Sequence, residues 1–479
     1  MRPQNPLLAA GISRRRFLRD GTMAGALTLG FPAIVNSRSP NTKLNIAIIG
    51  AGSAVFAQAM IRDSLSFPAL AGSTFALMDI DPEPLGYMET IARRMIQQGG
   101  CPARVEATTD RREALRAADY VIVSILVGGR EPIAWEIDIP LKYGVDQCIG
   151  DTMGPGGIFR AMRTVPVLVD IARDMEDLCP DALMLNYTNP MSMLCRAVRK
   201  ATSVEVVGLC HSVQGAHDEL AHVISEDPRQ CSSWTAGINH QAWVLRYECR
   251  GQDAYPRIHR AAWENEQWWR TNTTRVEMLR HLGYYVTESS GHNSEYNPWF
   301  RKRPDLKEKY TQGGAWNGGT GFIKELYSTD RKLYMGSLRA IAEQKEPYRL
   351  SRGLEYGSYI MNALQTGEPF RFNGTVPNDG LITNLPWGSS VEVPCYVDGG
   401  GVHPCSVGTL PLQLAALNNM TIQSLEMAVE AALEGDRDLL YWSIAYDPLT
   451  SAVLSLEEIR AMVDEMFERE RPIMPQFGG

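Results

Sequence analysis

The sequence predicts an α/β fold, a Rossmann-like doubly wound parallel sheet followed by a C-terminal α+β catalytic lobe. Residues 43–49 are a short apolar run ending in Gly50-Ala51-Gly52-Ser53, a strand that enters a phosphate-cradling turn. Strand and helix patterns then alternate to about residue 210, which implies parallel strands joined by right-handed crossovers. From residue 236 onward the pattern changes to longer helices and irregular loops rich in glycine and aromatic residues. A chain of 479 residues is too long for one small core. The expected division is an N-terminal targeting segment and linker at 1–40, a dinucleotide-binding domain at 41–210 and a second, substrate- and metal-binding domain at 211–479.

The elements follow in order. After the first strand come a helix at 53–62, a strand at 74–79, a helix at 84–97, a short strand at 104–107, a helix at 111–117 and an apolar strand at 120–126. A long amphipathic helix at 159–178, a buried strand at 182–187, a helix at 191–200 and a strand at 204–209 extend the sheet. A tryptophan-rich helix is expected around 261–270, with polar loops at 311–320 and 373–379. The second lobe should pack against the carboxyl ends of the parallel strands, where doubly wound folds bind ligands.

Composition excludes several classes. A formal charge of −8, with 44% hydrophobic and 21% charged residues, fits a soluble globular protein and argues against nucleic-acid binding. The arginines that do cluster are N-terminal: Ser13-Arg14-Arg15-Arg16-Phe17-Leu18 reads as a twin-arginine export motif. The glycine-containing stretch 21–35 behind it is too short for stable membrane insertion. A periplasmic or otherwise exported address follows, with a cytoplasmic one as the alternative. Nine cysteines without CxxC spacing suggest free thiols in a protein folded in a reducing compartment. Twin-arginine export carries proteins already folded, so these signals agree.

Gly50 and Gly52 hold the first two glycine positions of a dinucleotide loop, with Ser53 beside them and Val55 at the third position. Asp79 ends the second strand, where a carboxylate accepts from an adenosine ribose and repels a 2′-phosphate, so NAD is favoured over NADP. Asp81 is the better candidate for capping the next helix. Asp151-Thr152-Met153-Gly154-Pro155-Gly156-Gly157 precedes a helix carrying Arg160 and Arg163, an arrangement suited to an anion, to sugar hydroxyls or simply to a turn. Asn186 and Asn189, at the end of a buried strand, can grip vicinal hydroxyls or form a turn before Pro190. Cys210 and His240 are a partial ligand set for a borderline divalent ion, or a buried thiol and a core histidine.

Taken together and in order, GAGS, MDID, GDTMGPGGIFRAMRTVP, LNYTNPMSM, GLCHSVQG and AGINH resemble glycoside hydrolase family 4, most closely its α-galactosidase (melibiase) branch. GYYVTESSGHNSEYNPWF, NDGLITNLPWGSSVEVPC and VGTLPLQLAAL extend the resemblance from residue 44 to 464. The implied fold is that of lactate and malate dehydrogenases. The implied chemistry departs from the usual pair of carboxylates. Bound NAD⁺ takes hydride from C3 of the glycone, a base takes the acidified C2 proton, the aglycone leaves by elimination, water adds, and the hydride returns. By the same resemblance Cys210 and His240 ligate Mn²⁺, and Tyr284 is the base with Tyr285 as its close rival. His211 takes the place of the acidic residue that protonates the leaving oxygen in phospho-glycosidase branches, which argues for an unphosphorylated sugar. Asp151, Asn186 and Asn189 match substrate contacts, and Ser124 and Val127 lie beside the nicotinamide. α-Glucosidase and α-galacturonidase are the alternatives within the family, and a 2-hydroxy acid dehydrogenase is the alternative outside it. A homodimer or homotetramer is implied. Because the hydride is returned in each turnover, an exported enzyme needs no external cofactor pool.

Overall fold

The computed structural model describes residues 43–53, 56–327, 331–344 and 346–477. The export motif, the stretch 21–35 and Val55 lie outside them. The parallel half is built from β1 (Asn45–Ile49), β2 (Thr74–Met78), β3 (Arg104–Thr108), β4 (Tyr120–Val123), β5 (Leu183–Asn186) and β6 (Val206–Gly208). Their spatial order is β3-β2-β1-β4-β5-β6, with every pair parallel. The strand order reverses between β1 and β4, and the first glycine turn opens at that crevice. Both faces of these strands are covered, as a parallel sheet requires. Ile46, Ile48, Val121, Val123, Met184 and Leu185 are all buried.

The sheet does not stop at β6. The second half adds β7 (Cys231–Ile238), β8 (Gln241–Cys249), β9 (Gln252–Asp253), β10 (Tyr285–Val286), β11 (Phe370–Pro377), β12 (Ser390–Asp398) and β13 (Gly401–Pro404). The thirteen strands form one continuous sheet, in which β11 joins β6 antiparallel at Thr375 and Gly208, and β12 meets β7 at Glu392 and Gly237. The sequence pattern past residue 236 was read as helical and irregular. The structure instead places the β7–β8 hairpin there. Its strands are buried at their inner ends, so alternation is blurred by runs such as Thr235–Ile238 that are buried throughout.

Several helices differ from expectation for local reasons. The long helix runs Gly154–Leu178 and begins inside the glycine-rich loop, with proline in its first turn. Glu131–Lys142 is a further helix, absent from the expected order; Pro132 sits in its first turn, where no amide bond is lost. The tryptophan-rich segment is split into Tyr255–Glu264 and Glu266–Thr271, and Asn265 caps the second piece. The cysteine expectation also needs correcting. Cys231 and Cys249 face each other across β7 and β8 and are disulfide-bonded, while the other seven are free. Their separation of 18 residues concealed a pairing that only the hairpin register creates.

Candidate functional site

The cofactor turn is shaped by contacts that only glycine allows. Gly50 has φ +87°, and a Cβ there would stand 2.0 Å from the Ser124 carbonyl oxygen. Gly52 donates its amide to Asp79 Oδ2 at 2.8 Å, and Asp81 donates its amide to Asp79 Oδ1 at 3.0 Å. Asp81 caps helix Pro82–Gly99 by accepting from the Glu83 amide, so Asp79 is left facing the turn. Ser53 accepts from the Phe56 amide at 3.3 Å. Ser124 and Val127 follow β4 on the other wall of the crevice. The Val127 carbonyl accepts from Arg163 Nε at 2.8 Å. A narrow glycine turn, a carboxylate at the end of β2 and a strand-order reversal together fit a dinucleotide.

Beyond the carboxyl ends of β5 and β6 lies a dense group of ligand-type side chains. Cys210, His240 and Glu288 bring donor atoms within 4.8 Å of one another, as do Asp151, His240 and His292. A thiol, two imidazoles and two carboxylates fit a borderline divalent ion. His240 is the second residue of the two-residue turn between β7 and β8. His240 and Glu288 adopt left-handed backbone, at φ 65° and 67°, which for such residues costs about 1–3 kcal/mol each. That strain, on two residues of one group, aims both side chains inward.

Electrostatics bind the group together. His240 Nε2 lies 3.4 Å from Glu288 Oε2, His292 Nδ1 lies 3.2 Å from Glu288 Oε1, and His292 Nε2 lies 3.6 Å from Asp151 Oδ1. Burial opposes ionisation of Glu288 and Asp151, but the neighbouring histidines outweigh it and hold both carboxyls well below their usual range. Burial also opposes a charged His240, yet Cys210 and Glu288 raise it to about 9. His240 in turn lowers the Cys210 thiol against the effect of burial. A metal ion would displace the His240 proton, so its affinity should rise with pH. On the far side of the imidazole, Tyr296 Oη lies 3.3 Å from His240 Nδ1. Such a contact on the remote nitrogen fixes the ring of a ligating histidine.

The residues expected around this group are not all brought to it. Tyr285 is fully buried, donates to Glu219 Oε1 at 2.7 Å, and packs its ring 4.4 Å from the Arg275 guanidinium. Tyr284 packs with Trp243, Met278 and Phe300, its ring 6.0 Å from Tyr255. Neither has a hydrogen bond or ring contact with the ligand group, because Tyr285 is drawn into the core by the pairing of β10 with β8. Tyr296, which does make contact, was missed, as were Glu288 and His292. A signal was available: 288, 292 and 296 recur every fourth residue, which a helical turn would stack.

Asn186 closes its own turn, its amide donating to the Thr188 carbonyl and its oxygen accepting from the Thr188 amide. The turn reading therefore accounts for Asn186, whereas Asn189 Oδ1 is buried without a partner among the described residues. Asp151 accepts from Thr152 Oγ1 and lies 3.7 Å from Arg160. Arg160 has Nε and one terminal nitrogen buried without hydrogen-bond partners. His211 stands at the exposed side of Cys210, with Nε2 3.1 Å from Glu355 Oε2. The Glu355 carboxylate raises the His211 pKa, against the opposing effect of burial.

Fold and site thus define a dinucleotide-type α/β enzyme with a Cys–His–carboxylate centre. The models for family 4 glycosyl hydrolases match residues 45–226 and, for the C-terminal domain, 235–450. The chain belongs to that family and is a glycosidase. It is 40% identical over 435 residues to an α-galactosidase of Bacillus subtilis, covering 90% of this chain and 99% of that one. It is 31% identical to an α-glucosidase of Erwinia rhapontici, covering 89% and 98%. The fold is shared with a 6-phospho-α-glucosidase from gut microorganisms crystallised with NAD and Mn²⁺, at TM-score 0.76 and 20% identity over 91% of this chain and 99% of the other.

Proposed function

We propose that the protein hydrolyses α-galactosides, with resident NAD and a divalent ion such as Mn²⁺. The observation that carries this reading is the convergence of Cys210, His240 and Glu288, whose donor atoms lie within 4.8 Å of one another. Identity to the B. subtilis α-galactosidase supports the sugar, and the NAD and Mn²⁺ of the related crystal structure support the two cofactors. When bound, NAD and the ion supply reversible hydride removal at C3 and Lewis acidity toward the C2 and C3 oxygens.

The chain's own residues do the rest. Cys210, His240 and Glu288 would hold the ion, while Asp151, Arg160 and Asn189 would orient glycone hydroxyls. Tyr296 keeps the His240 ring in place from its remote nitrogen. His211 donates to the leaving oxygen, and Glu355 orients its ring and favours its protonated form. That role predicts a leaving-group effect. Glu355→Gln should slow hydrolysis of an unactivated methyl α-galactoside roughly tenfold or more, yet leave the p-nitrophenyl glycoside nearly unchanged. Equal slowing of the two would remove the pair from the proton-donor role.

A panel of p-nitrophenyl α-galactoside, α-glucoside and α-galacturonide tests the sugar. The galactoside should be cleaved fastest, with Mn²⁺ required. Preference for either other glycone would overturn this part, and sustained NADH accumulation with a hydroxy acid would overturn the whole. Export by the twin-arginine route follows from Ser13–Leu18, and the Cys231–Cys249 bond suits an oxidising destination. Cell fractionation that finds only uncleaved protein in the cytoplasm would sink export. Assembly as a homodimer or homotetramer completes the proposal, and a monomer by light scattering would contradict it.

A further inference from the structure

We propose that Tyr334 closes the adenosine end of the cofactor crevice, so that a helix of the second lobe keeps NAD bound. The inference rests on the reading of NAD as a resident cofactor and names what retains it. Tyr334 lies on helix Arg331–Glu343. Its hydroxyl donates to the Gly52 carbonyl at 2.5 Å, across 282 residues of sequence. The Gly52 amide is already held by Asp79, the carboxylate suited to an adenosine ribose. One glycine is therefore gripped from both sides, by the ribose carboxylate of the first domain and by a phenol of the second.

The other wall of the crevice reaches the same ring. Arg130, between β4 and helix Glu131–Lys142, holds its guanidinium 5.0 Å from the Tyr334 ring centroid. Tyr334 thus spans from the turn after β1 to the loop after β4, the two elements between which the strand order reverses. A cation on that rim complements the negative charge of a pyrophosphate. The helix that carries the tyrosine is anchored at both ends. Met335, Leu338 and Ala342 are its buried stripe. Arg331 pairs with Asp81 at 2.7 Å and with Glu83 at 3.1 Å. At the far end Arg94 donates to the Ala342 and Gln344 carbonyls, both at 2.5 Å. Asp81, Glu83 and Arg94 all belong to helix Pro82–Gly99 or its cap. The clasp is therefore fixed to the element that follows Asp79, and Tyr334 reaches from it onto the turn.

Such a bar suits one kind of redox enzyme. A dehydrogenase whose turnover ends with reduced cofactor must release it each time, and a clasp would slow that step. An enzyme that returns the hydride to the same sugar has no release step, so tight retention does not limit it. The contact of Tyr334 is with the Gly52–Asp79 end of the crevice. Its loss should therefore be felt by the adenosine half of the dinucleotide.

The experiment loads the Mn²⁺-containing holoenzyme with radiolabelled NAD and follows release of the label into an excess of unlabelled NAD. In a second arm NAD and ADP-ribose, which lacks the nicotinamide, compete at equilibrium, and this gives the ratio of their affinities. Tyr334→Ala is expected to release NAD roughly tenfold faster than the parent. The ratio should stay as in the parent, because the two ligands share the adenosine half. Tyr334→Phe, which removes only the hydroxyl, should shift release in the same direction by a smaller factor, and it carries the test if the alanine variant does not fold. Release at the parent rate overturns the clasp and leaves resident NAD standing. A changed ratio places the loss at the nicotinamide and also overturns it. A parent protein that holds neither ligand overturns the resident cofactor together with the clasp.

Discussion

Cys210→Ser is expected to lower kcat on the galactoside by on the order of a thousandfold, the loss of several kcal/mol of Lewis-acid stabilisation. A serine hydroxyl is a harder and much less acidic donor than a thiol, and His240 already lowers the Cys210 pKa. The fold should survive. Cys210 is held through its backbone, whose amide and carbonyl both bond Tyr356 Oη, at 2.6 and 2.7 Å, and the substitution leaves these intact. Metal content should fall in parallel while the thermal midpoint in chelator moves little. Retained Mn²⁺-dependent turnover in the variant would remove Cys210 from the ligand set.

Arg163→Ala should be the most damaging change away from the ligand group. The guanidinium is fully buried and pairs with Glu136 and with Glu470, the latter at 3.3 Å. Those carboxylates are themselves 1% and 0% exposed, so removing the arginine leaves two acidic groups buried together with only Arg160, 3.6 Å from Glu136, as a counter-charge. Breaking a buried pair from one side costs about 3–5 kcal/mol. The same side chain holds the Val127 carbonyl, so the nicotinamide wall of the crevice should loosen as well. Thermal unfolding should show a midpoint lowered by on the order of 10 °C. Adding Glu136→Gln should recover part of the loss. A midpoint within a degree or two of the parent would mean that this charge cluster contributes little.

The parallel half was legible because its signals are local. A strand, a glycine turn and a carboxylate at the next strand's end are written within about forty residues, and Gly50, Gly52 and Asp79 stand together as their spacing implied. The antiparallel half was not, because its pairing is long-range: β11 reaches β6 across more than 150 residues, at Thr375 and Gly208. The same limit explains the site. Cys210 and His240 were read from motifs, whereas buried Tyr285 and half-buried Tyr284 make no hydrogen bond or ring contact with them. Strand pairing turns Tyr285 inward, and the ligand-type residues begin only where β10 gives way to helix Ser290–Glu295. Glu288, His292 and Tyr296 lay inside a segment already recognised as related, without a role. At Asn186 the turn, one of the two readings its position allows, is the one with visible bonds.

The central claim is that a glycosidic bond is broken by a redox-neutral cycle on a dinucleotide-binding scaffold. Its most direct test is hydrolysis of the α-galactoside by the holoenzyme in D2O, with the released sugar examined by NMR and NADH followed by absorbance. Deuterium at C2 of the product, with no net NADH over many turnovers, is the predicted result. Full retention of protium at C2 would contradict proton removal there and, with it, the account of how these residues act.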